Sequence, residues 1–553
     1  MDEKWRFRIL NREASTLYSL GEVYAVLGRF NDAENTLQKA IRLSDESLRL
    51  VEERDPGIWT HRGLILSSLG KVLAELGRYD EAIKTMKNSV AACNKVLEIT
   101  GGQDPIALLN KAFVLNTLGG IYIEISRFEE AQNTFQEALK TSDKCLEITG
   151  GEDPEIWRIR GKTFSLIGDM FRELGRYNLA EDNLRKAVDS YDRSLEYANM
   201  TYPRSWRDRG ETLHCLARVY RPLGMYEKAK EVLREAIKSF YVALEQTGKK
   251  WPDVWALRAH SLYYLGRVHR EIGEYEEAEE TLMLGIENID EALRLVNWND
   301  SDFFDIKGTI LSALGMVYMK LHDYEKASNV LRKSDEMHEQ GLKLTNYANP
   351  NIWVNKGFAL GCLGHSYTWL QKYDDADYAL KKAIESCKKA LEITENRDPD
   401  AWNVLGFAQF HLAQLYFVRE QLDDALALCE EALNSYGEAL RLTNNKHTYA
   451  IYGKSFVYLL KSKIQLKQKD KDEAKESLKK SLESACYGAN AFRWYIPSFE
   501  VFIELAKQMK KIYGQNIPSE LLSRHKKCAE NILDIMPSYL ADMYRSKLRG
   551  FYR

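Results

Sequence analysis

Between residues 62 and 99 the apolar positions fall three and four apart, which is the spacing of one face of an α-helix and not the alternation of a strand. Leu66, Leu69, Gly70 and Leu73 form one stripe, Leu-Gly-Arg-Tyr at 76–79 turns the chain, and Ala82, Met86, Ser89 and Val90 make the facing stripe of a second helix running back. Small residues where the stripes cross, here Gly70 and Ala82, let the two backbones approach while larger residues fill the seam. Each helix is predicted to span roughly 20 residues, or about 30 Å.

The unit recurs. Ala33, Ala82, Ala131, Ala180, Ala229, Ala278, Ala327, Ala376, Ala425 and Ala474 stand 49 residues apart, the signature of a repeat architecture. Three residues before each alanine is an aromatic (Phe30, Tyr79, Phe128, Tyr177, Tyr226, Tyr275, Tyr324, Tyr373), weakening to Leu422 and Lys471. Nine before each aromatic is a small residue: Gly21, Gly70, Gly119, Gly168, Ala217, Gly266, Gly315, Gly364 and Ala413. The joints between units, such as Thr-Gly-Gly-Gln-Asp-Pro at 100–105, predict a left-handed glycine ending one helix, an Asp capping the next and a Pro in its first turn. Three residues after the proline comes Trp59, Trp157, Trp206, Trp255, Trp353 or Trp402, expected to pack on the end of the preceding helix.

A basic residue, Arg62, Lys111, Arg160, Arg209, Arg258, Lys307 or Lys356, keeps the same period. Counting in opposite directions from the turn sets Lys111 opposite Asp143, Arg160 opposite Asp192, Arg258 opposite Asp290 and Lys307 opposite Glu339, so salt bridges within each repeat are expected. The pattern fails at Arg209, opposite Tyr241, and at Lys356, opposite Lys388. Residues after 488 leave the period, and the segments beginning at Pro497, Pro518 and Pro537 are predicted as shorter helices covering the apolar face of the last unit. The expected division is thus 1–487 for the repeats and 488–553 for the cap.

Leu-x-x-Leu-Gly-x-x-Tyr followed by Ala-x-x-x-Leu-x-x-Ala, as at Leu262, Leu265, Gly266, Ala278 and Leu282, resembles the tetratricopeptide repeat. The usual unit of that family is 34 residues, so this chain resembles a long-helix branch with about two extra turns on each helix. The resemblance implies an all-α fold, a right-handed α-solenoid of about ten antiparallel helix pairs, whose first helices line a concave face that binds a protein or peptide.

Composition narrows the function further. Lys and Arg number 78 against 81 Asp and Glu, a formal net charge of −3, so no overall field favours long nucleic acid or an anionic membrane. No window approaches the run of apolar residues a membrane span needs, and the charged start MDEKWRFRIL carries no secretory signal. The eight cysteines show neither Cys-x-x-Cys nor metal-ligand spacing, and are expected to be reduced packing residues of a cytoplasmic protein. With no phosphate loop, no His-Glu-x-x-His and no nucleophile elbow, the reading is non-enzymatic, without cofactor or metal.

Candidate binding residues point away from the Leu/Gly stripe on the first helices. Arg218 and Arg221, then Arg267 and Arg270, form pairs one helical turn apart, with Arg172 in the unit before and His214, Tyr263 and Tyr264 nearby. Guanidinium groups facing one groove would grip carboxylates or phosphates in bidentate fashion. Either they do so, or Asp169, Glu173, Glu211 and Glu271 on the same helices neutralise them locally. Further along, the face turns apolar with Met316, Met319, Phe358, Trp369, Phe407, Phe410 and Phe417, and with His365 and His411 among them. Such residues mark a partner site or are buried against neighbouring helices. The expected ligand is a peptide whose acidic part meets the arginines and whose apolar part meets the phenylalanines. The alternatives are a phosphate or nucleic-acid end at the central arginines, and self-association into a structural scaffold.

Overall fold

The computed structural model describes residues 3–51, 54–491, 499–534, 536 and 538–552, and among them there are helices and no strands. Pro497 and Pro537 lie outside the described residues. The helices follow as α1 (Glu3–Val26), α2 (Phe30–Leu50), α3 (Pro56–Glu75), α4 (Tyr79–Ile99), α5 (Pro105–Glu124), α6 (Phe128–Thr149), α7 (Pro154–Glu173), α8 (Tyr177–Tyr197), α9 (Pro203–Tyr220), α10 (Tyr226–Gln246), α11 (Pro252–Glu271) and α12 (Tyr275–Leu295). They continue as α13 (Ser301–Lys320), α14 (Tyr324–Leu344), α15 (Pro350–Trp369), α16 (Tyr373–Ile393), α17 (Pro399–Val418), α18 (Leu422–Leu442), α19 (Thr448–Lys467), α20 (Lys471–Ala491), α21 (Phe499–Tyr513), α22 (Ser519–Leu533) and α23 (Ser538–Tyr552), and a 3-10 turn, Arg221–Leu223, follows α9. Two compact units divide the chain, Met1–Val219 and Tyr220–Arg553. In each, a first helix packs on the second helix of its own repeat and on that of the repeat before.

Local chemistry ends the helices where the joints predict. Asp104 accepts from the amides of Ile106 and Ala107, Asp153 from those of Glu155 and Ile156, and Asp398 from those of Asp400 and Ala401, so each supplies acceptors to otherwise unpaired first-turn donors. Two consecutive left-handed residues close each second helix from α4 to α8: Gly101 and Gly102, Gly150 and Gly151, then Asn199 and Met200. Later joints keep the pair without glycine at Asn346 and Tyr347 or Glu395 and Asn396, so the turn geometry survives where its usual residue is absent. The tryptophan ladder has a polar function as well as a packing one. The indoles of Trp157, Trp206, Trp255, Trp353 and Trp402 each donate to the carbonyl six residues earlier, at 2.8–3.1 Å, tying the new helix to the end of the old one.

Helix pairs cross at the small residues. A Cβ on Gly168, Gly266 or Gly315 would stand 2.6 Å from Leu184, Leu282 or Leu331, and one on Gly119 would overlap the Phe135 ring. In each case the residue sixteen later reaches into the space a side chain would take. A second column repeats the device thirty residues apart, where Gly161, Gly308, Gly357 and Gly406 face Tyr191, His338, Cys387 and Tyr436.

The basic ladder forms salt bridges, but with partners other than those expected. Arg62 meets Asp45, Arg160 meets Asp143, Arg209 meets Asp192, Lys307 meets Asp290 and Lys356 meets Glu339, at 2.6–3.0 Å. Each partner lies seventeen residues earlier, on the second helix of the preceding repeat, because the base projects toward the neighbouring pair and not across its own. The failures at Arg209 and Lys356 disappear in this register. Within a repeat, Lys111 pairs with Glu137 instead of Asp143, and Arg258 bonds Asn288 instead of Asp290. The guanidiniums of Arg62, Arg160, Arg209 and Arg258 also lie over Trp59, Trp157, Trp206 and Trp255, with centroid distances of 5.5–6.0 Å.

Two other expectations change. α5 is long and apolar enough to cross a membrane by length and composition, with a mean hydropathy of 1.4, but it carries the Lys111–Glu137 pair and buries Leu108, Val114, Leu115, Leu118 and Ile121 in the repeat core. Of the eight cysteines, Cys486 and Cys528 are joined as a disulfide between α20 and α22, with Cα atoms 5.3 Å apart. Their separation of 42 residues hides the pairing in the sequence, since α22 reaches α20 only through the fold of the cap. In that cap His525 is fully buried, its Nε2–H donating to the Phe502 carbonyl at 2.7 Å and its Nδ1 accepting from the Tyr552 hydroxyl at 2.8 Å. Burial pushes its pKa down to about 4.

Three outcomes are expected. Gly119→Ala lowers stability by about 1–3 kcal/mol through overpacking against Phe135, whereas the adjacent Gly120→Ala, where a Cβ meets nothing, is neutral or gains up to about 1 kcal/mol of helix propensity; urea unfolding midpoints compare them. Mass spectrometry after alkylation without reductant finds the Cys486–Cys528 peptide pair, and Cys486→Ser destabilises the last three helices by about 2–4 kcal/mol, seen as faster proteolysis there. His525 has a folded pKa below its unfolded one, so its contribution is full above about pH 6.5 and is lost as pH falls toward 4, roughly 1–2 kcal/mol by pH 5. His525→Gln flattens that part of the fall in melting temperature between pH 7.5 and 5.

Candidate functional site

In the second unit the first helices touch one another, α11 with α13, α13 with α15, α15 with α17 and α17 with α19, while the second helices among the described residues make no comparable contact. A stack of pairs in which one set of helices lies closer together bends toward that set. The first helices therefore line the inner side of this unit, and residues turned from the Leu/Gly stripe face inward.

On α11 the side chains of Tyr263, Arg267, Arg270 and Glu271 form the polar part of that side. Arg221, from the 3-10 turn, makes a bidentate pair with Glu271 at 2.6–3.2 Å, and the Glu271 side chain is only 1% exposed. Burial opposes the ionisation of Glu271, but Arg221, with Arg267 and Arg270 behind it, holds its pKa below the usual carboxylate range. Arg267 differs. Its hydrogen bonds go to the phenol oxygens of Tyr263, at 3.2 Å, and Tyr449, at 3.1 Å, and its guanidinium lies over the Tyr263 and Tyr264 rings. Burial disfavours its charge, yet Tyr263, Tyr449 and, beyond ion-pair distance, Glu271 keep it protonated against repulsion from Arg221. Arg270 donates to the Met316 thioether at 3.0 Å. Neither Arg267 nor Arg270 has a carboxylate within ion-pair distance among the described residues.

Tyr449, at the start of α19, bonds Arg221 and Arg267 at 3.1 Å each and so spans the inner side from the tenth repeat to the sixth. The two guanidinium nitrogens that share its oxygen are no more than about 6 Å apart, a repulsion of about 3 kcal/mol at an effective dielectric of 20. Burial would raise the Tyr449 pKa, but the two arginines outweigh it and draw the phenol below its ordinary value. Sequence reasoning missed this residue. The signal was a broken pattern: Asp253, Asp302, Asn351 and Asp400 occupy its register position in the preceding repeats, and the Asx-Pro start is replaced there by His447 and Thr448.

The apolar part continues along the same side. Tyr263, Met316, Met319, Phe358 and Phe407 pack partly buried on one core cluster. Phe358 and Phe407 lie 5.4 Å apart, and Phe407 and His365 both lie 4.4 Å from His411. Burial takes His365 down to about 4 and His411 well below its ordinary value, so both rings are neutral and serve as apolar surface. Trp369 is 58% exposed, donates its indole N–H to His365 at 3.1 Å and stacks on Tyr324 at 5.3 Å. Phe410 and His411, expected on an open face, are each only 8% exposed because α19 packs over them, with Phe456 at 6.3 Å from Phe410. Phe417 turns toward the tenth repeat, beneath the Lys467 ammonium.

Arg172, His214 and Arg218 belong to the first unit. Arg172 is neutralised locally by Asp169 at 2.7 Å and Glu173 at 3.6 Å. Arg218 lies near enough to Glu173 to lower that carboxyl's pKa, though burial and Asp169 raise it on balance. His214 is buried, with 8% exposed. Local neutralisation thus describes Arg172 and Arg221, and not Arg267 or Arg270.

Sequence-family profiles described as tetratricopeptide repeat match residues 62–144, then 14–47, 211–239, 259–289, 309–340 and 457–485, and a third set 359–400. No curated protein matches the chain. Among solved structures, yeast Tom70 is similar at 15% identity over 97% of this chain and 96% of its own, with a TM-score of 0.37. The apo form of RapI aligns at 15% identity over 74% and 96%, TM-score 0.45, and the human IFIT1 dimer with m7Gppp-AAAA at 15% over 88% and 89%, TM-score 0.42. Likeness at that level says nothing of ligands. The repeat assignment supports a protein-interaction scaffold in general terms, and the 49-residue helix pairs, their crossing glycines and the matches from residue 14 to residue 485 place the chain in the tetratricopeptide-repeat superfamily.

Proposed function

We propose that the chain captures a segment of another protein on the inner side of the sixth to ninth repeats. The anionic part of that segment meets Arg267 and Arg270, and its apolar part lies against Met316, Phe358, Phe407 and the exposed face of Trp369. The observation that carries this reading is the state of Arg267, a guanidinium set among aromatic rings whose hydrogen bonds among the described residues go to phenol oxygens. A half-buried charge of this kind is normally balanced by a carboxylate or phosphate, and the aromatic wall beside it offers the area that gives a peptide its affinity. Met316, touching Arg270, joins the two parts.

The reading is tested with a photo-crosslinker placed at Phe358 and the captured partner identified by mass spectrometry. Arg267→Glu with Arg270→Glu is expected to weaken that partner's binding at least tenfold, while Arg294→Glu on the second helix of the same repeat leaves it unchanged. Capture left intact by the Arg267 and Arg270 reversals, or crosslinks confined to second-helix positions, would remove the proposal.

A further inference from the structure

We infer that Arg267 and Arg270, beside the point where Arg221 and Arg267 converge on the Tyr449 oxygen, form a site for one phosphoryl group, so that the anion this face takes is a phosphate and not a carboxylate. The inference rests on the reading that an anionic ligand meets these arginines, and goes beyond it by assigning the chemistry of the anion.

Charge makes the distinction. Arg221 and Glu271 cancel as a bidentate pair. Arg267 and Arg270 then leave two positive charges on successive turns of α11 with no carboxylate partner among the described residues. A carboxylate brings one negative charge and would leave one guanidinium unbalanced. A phosphate monoester brings about −1.5 to −2 near pH 7, with three strong acceptor oxygens.

Donor supply agrees with this. Each guanidinium carries five N–H donors. Arg267 spends two on weakly accepting phenols and Arg270 one on a thioether. Planar forks with donors in reserve suit the oxygens of a phosphate better than point-charge ammonium groups would. The hydrogen-bond geometry at Tyr449 points the same way. Tyr449, 37% exposed, accepts from both Arg221 and Arg267 at 3.1 Å; desolvation of its hydroxyl and the nearby Glu271 oppose its ionisation, and the two arginines outweigh them. The phenol oxygen thus sits where Arg221 and Arg267 converge, marking the place an oxyanion would take or share.

The test is calorimetric titration of the full chain at constant ionic strength with inorganic phosphate, phenyl phosphate, acetate and benzoate. Each phosphate is expected to bind at least tenfold more tightly than the carboxylate of matching size, and Arg267→Gln with Arg270→Gln is expected to cost at least tenfold in phosphate affinity. Should that variant fail to fold, Tyr449→Phe serves in its place, because it removes a phenol oxygen that competes for the guanidiniums and should leave phosphate affinity equal or tighter. Carboxylates binding as well as phosphates, no phosphate binding, phosphate affinity indifferent to the two arginines, or its loss in a folded Tyr449→Phe protein would each overturn the inference. A pool of phosphoserine peptides separates the sources. Peptide affinity tenfold above that of inorganic phosphate, and reduced by Phe358→Ala, assigns the phosphoryl group to a protein segment; equal affinity unaffected by Phe358→Ala assigns it to a small phosphorylated molecule. Capture of a partner through carboxylates alone would overturn this inference while leaving the proposed function standing.

Discussion

Everything in this architecture depends on two helices crossing at a place where one of them carries a small residue, most often a glycine with no side chain at all. Glycine at 119, 168, 266 or 315 opens a hole that a large residue sixteen positions on fills, and a second hole thirty residues apart repeats the fit. A hole and its plug set both the distance and the axial register of a pair, because sliding by one residue would bring a side chain against a side chain. Helices of about twenty residues offer room for two such contacts, which fixes the crossing angle as well. The 49-residue period is the chain length needed for two helices held at two points, with their turn and joint.

Regular pairs make it possible to hold polar groups in costly places. The ion pairs that link one repeat to the next, with the indole bonds at the joints, keep successive first helices in the same orientation. Positions on their inner side are therefore set by the scaffold, and Arg267 cannot swing to a distant carboxylate. Tyr449 meets it only because the second unit bends far enough for its tenth repeat to reach its sixth. A site with more cation than anion is unfavourable for the empty protein, and the stability that sustains it comes from the packed pairs on either side. The neutral histidines show the same economy, since His365 and His411 stay uncharged and add surface to the apolar wall.

How much of this was legible in the sequence follows from how far each interaction reaches. Helices, caps and the repeat were readable because their causes lie close along the chain: Asp104 caps its own helix, and Gly266 and Leu282 are sixteen residues apart across a single turn. The ion-pair ladder was half legible. Arg160 and its period were evident, but choosing Asp143 over Asp192 required knowing that the guanidinium leans toward the earlier pair. The mixture at the arginines was likewise beyond a list of nearby acids, since Glu271 cancels Arg221, fifty positions back, and not the arginine beside it.

The amino-acid sequence by itself determined the element type, the length of the unit, the crossing points and the candidate face, since periodic patterns and turn chemistry act at short range along the chain. Tertiary structure alone decided that Tyr449 comes to Arg267 across 182 residues, that Cys486 meets Cys528, and that α19 covers Phe410 while Trp369 stays open. Those outcomes depend on the accumulated bend of several stacked repeats, a sum of small rotations that no single segment encodes.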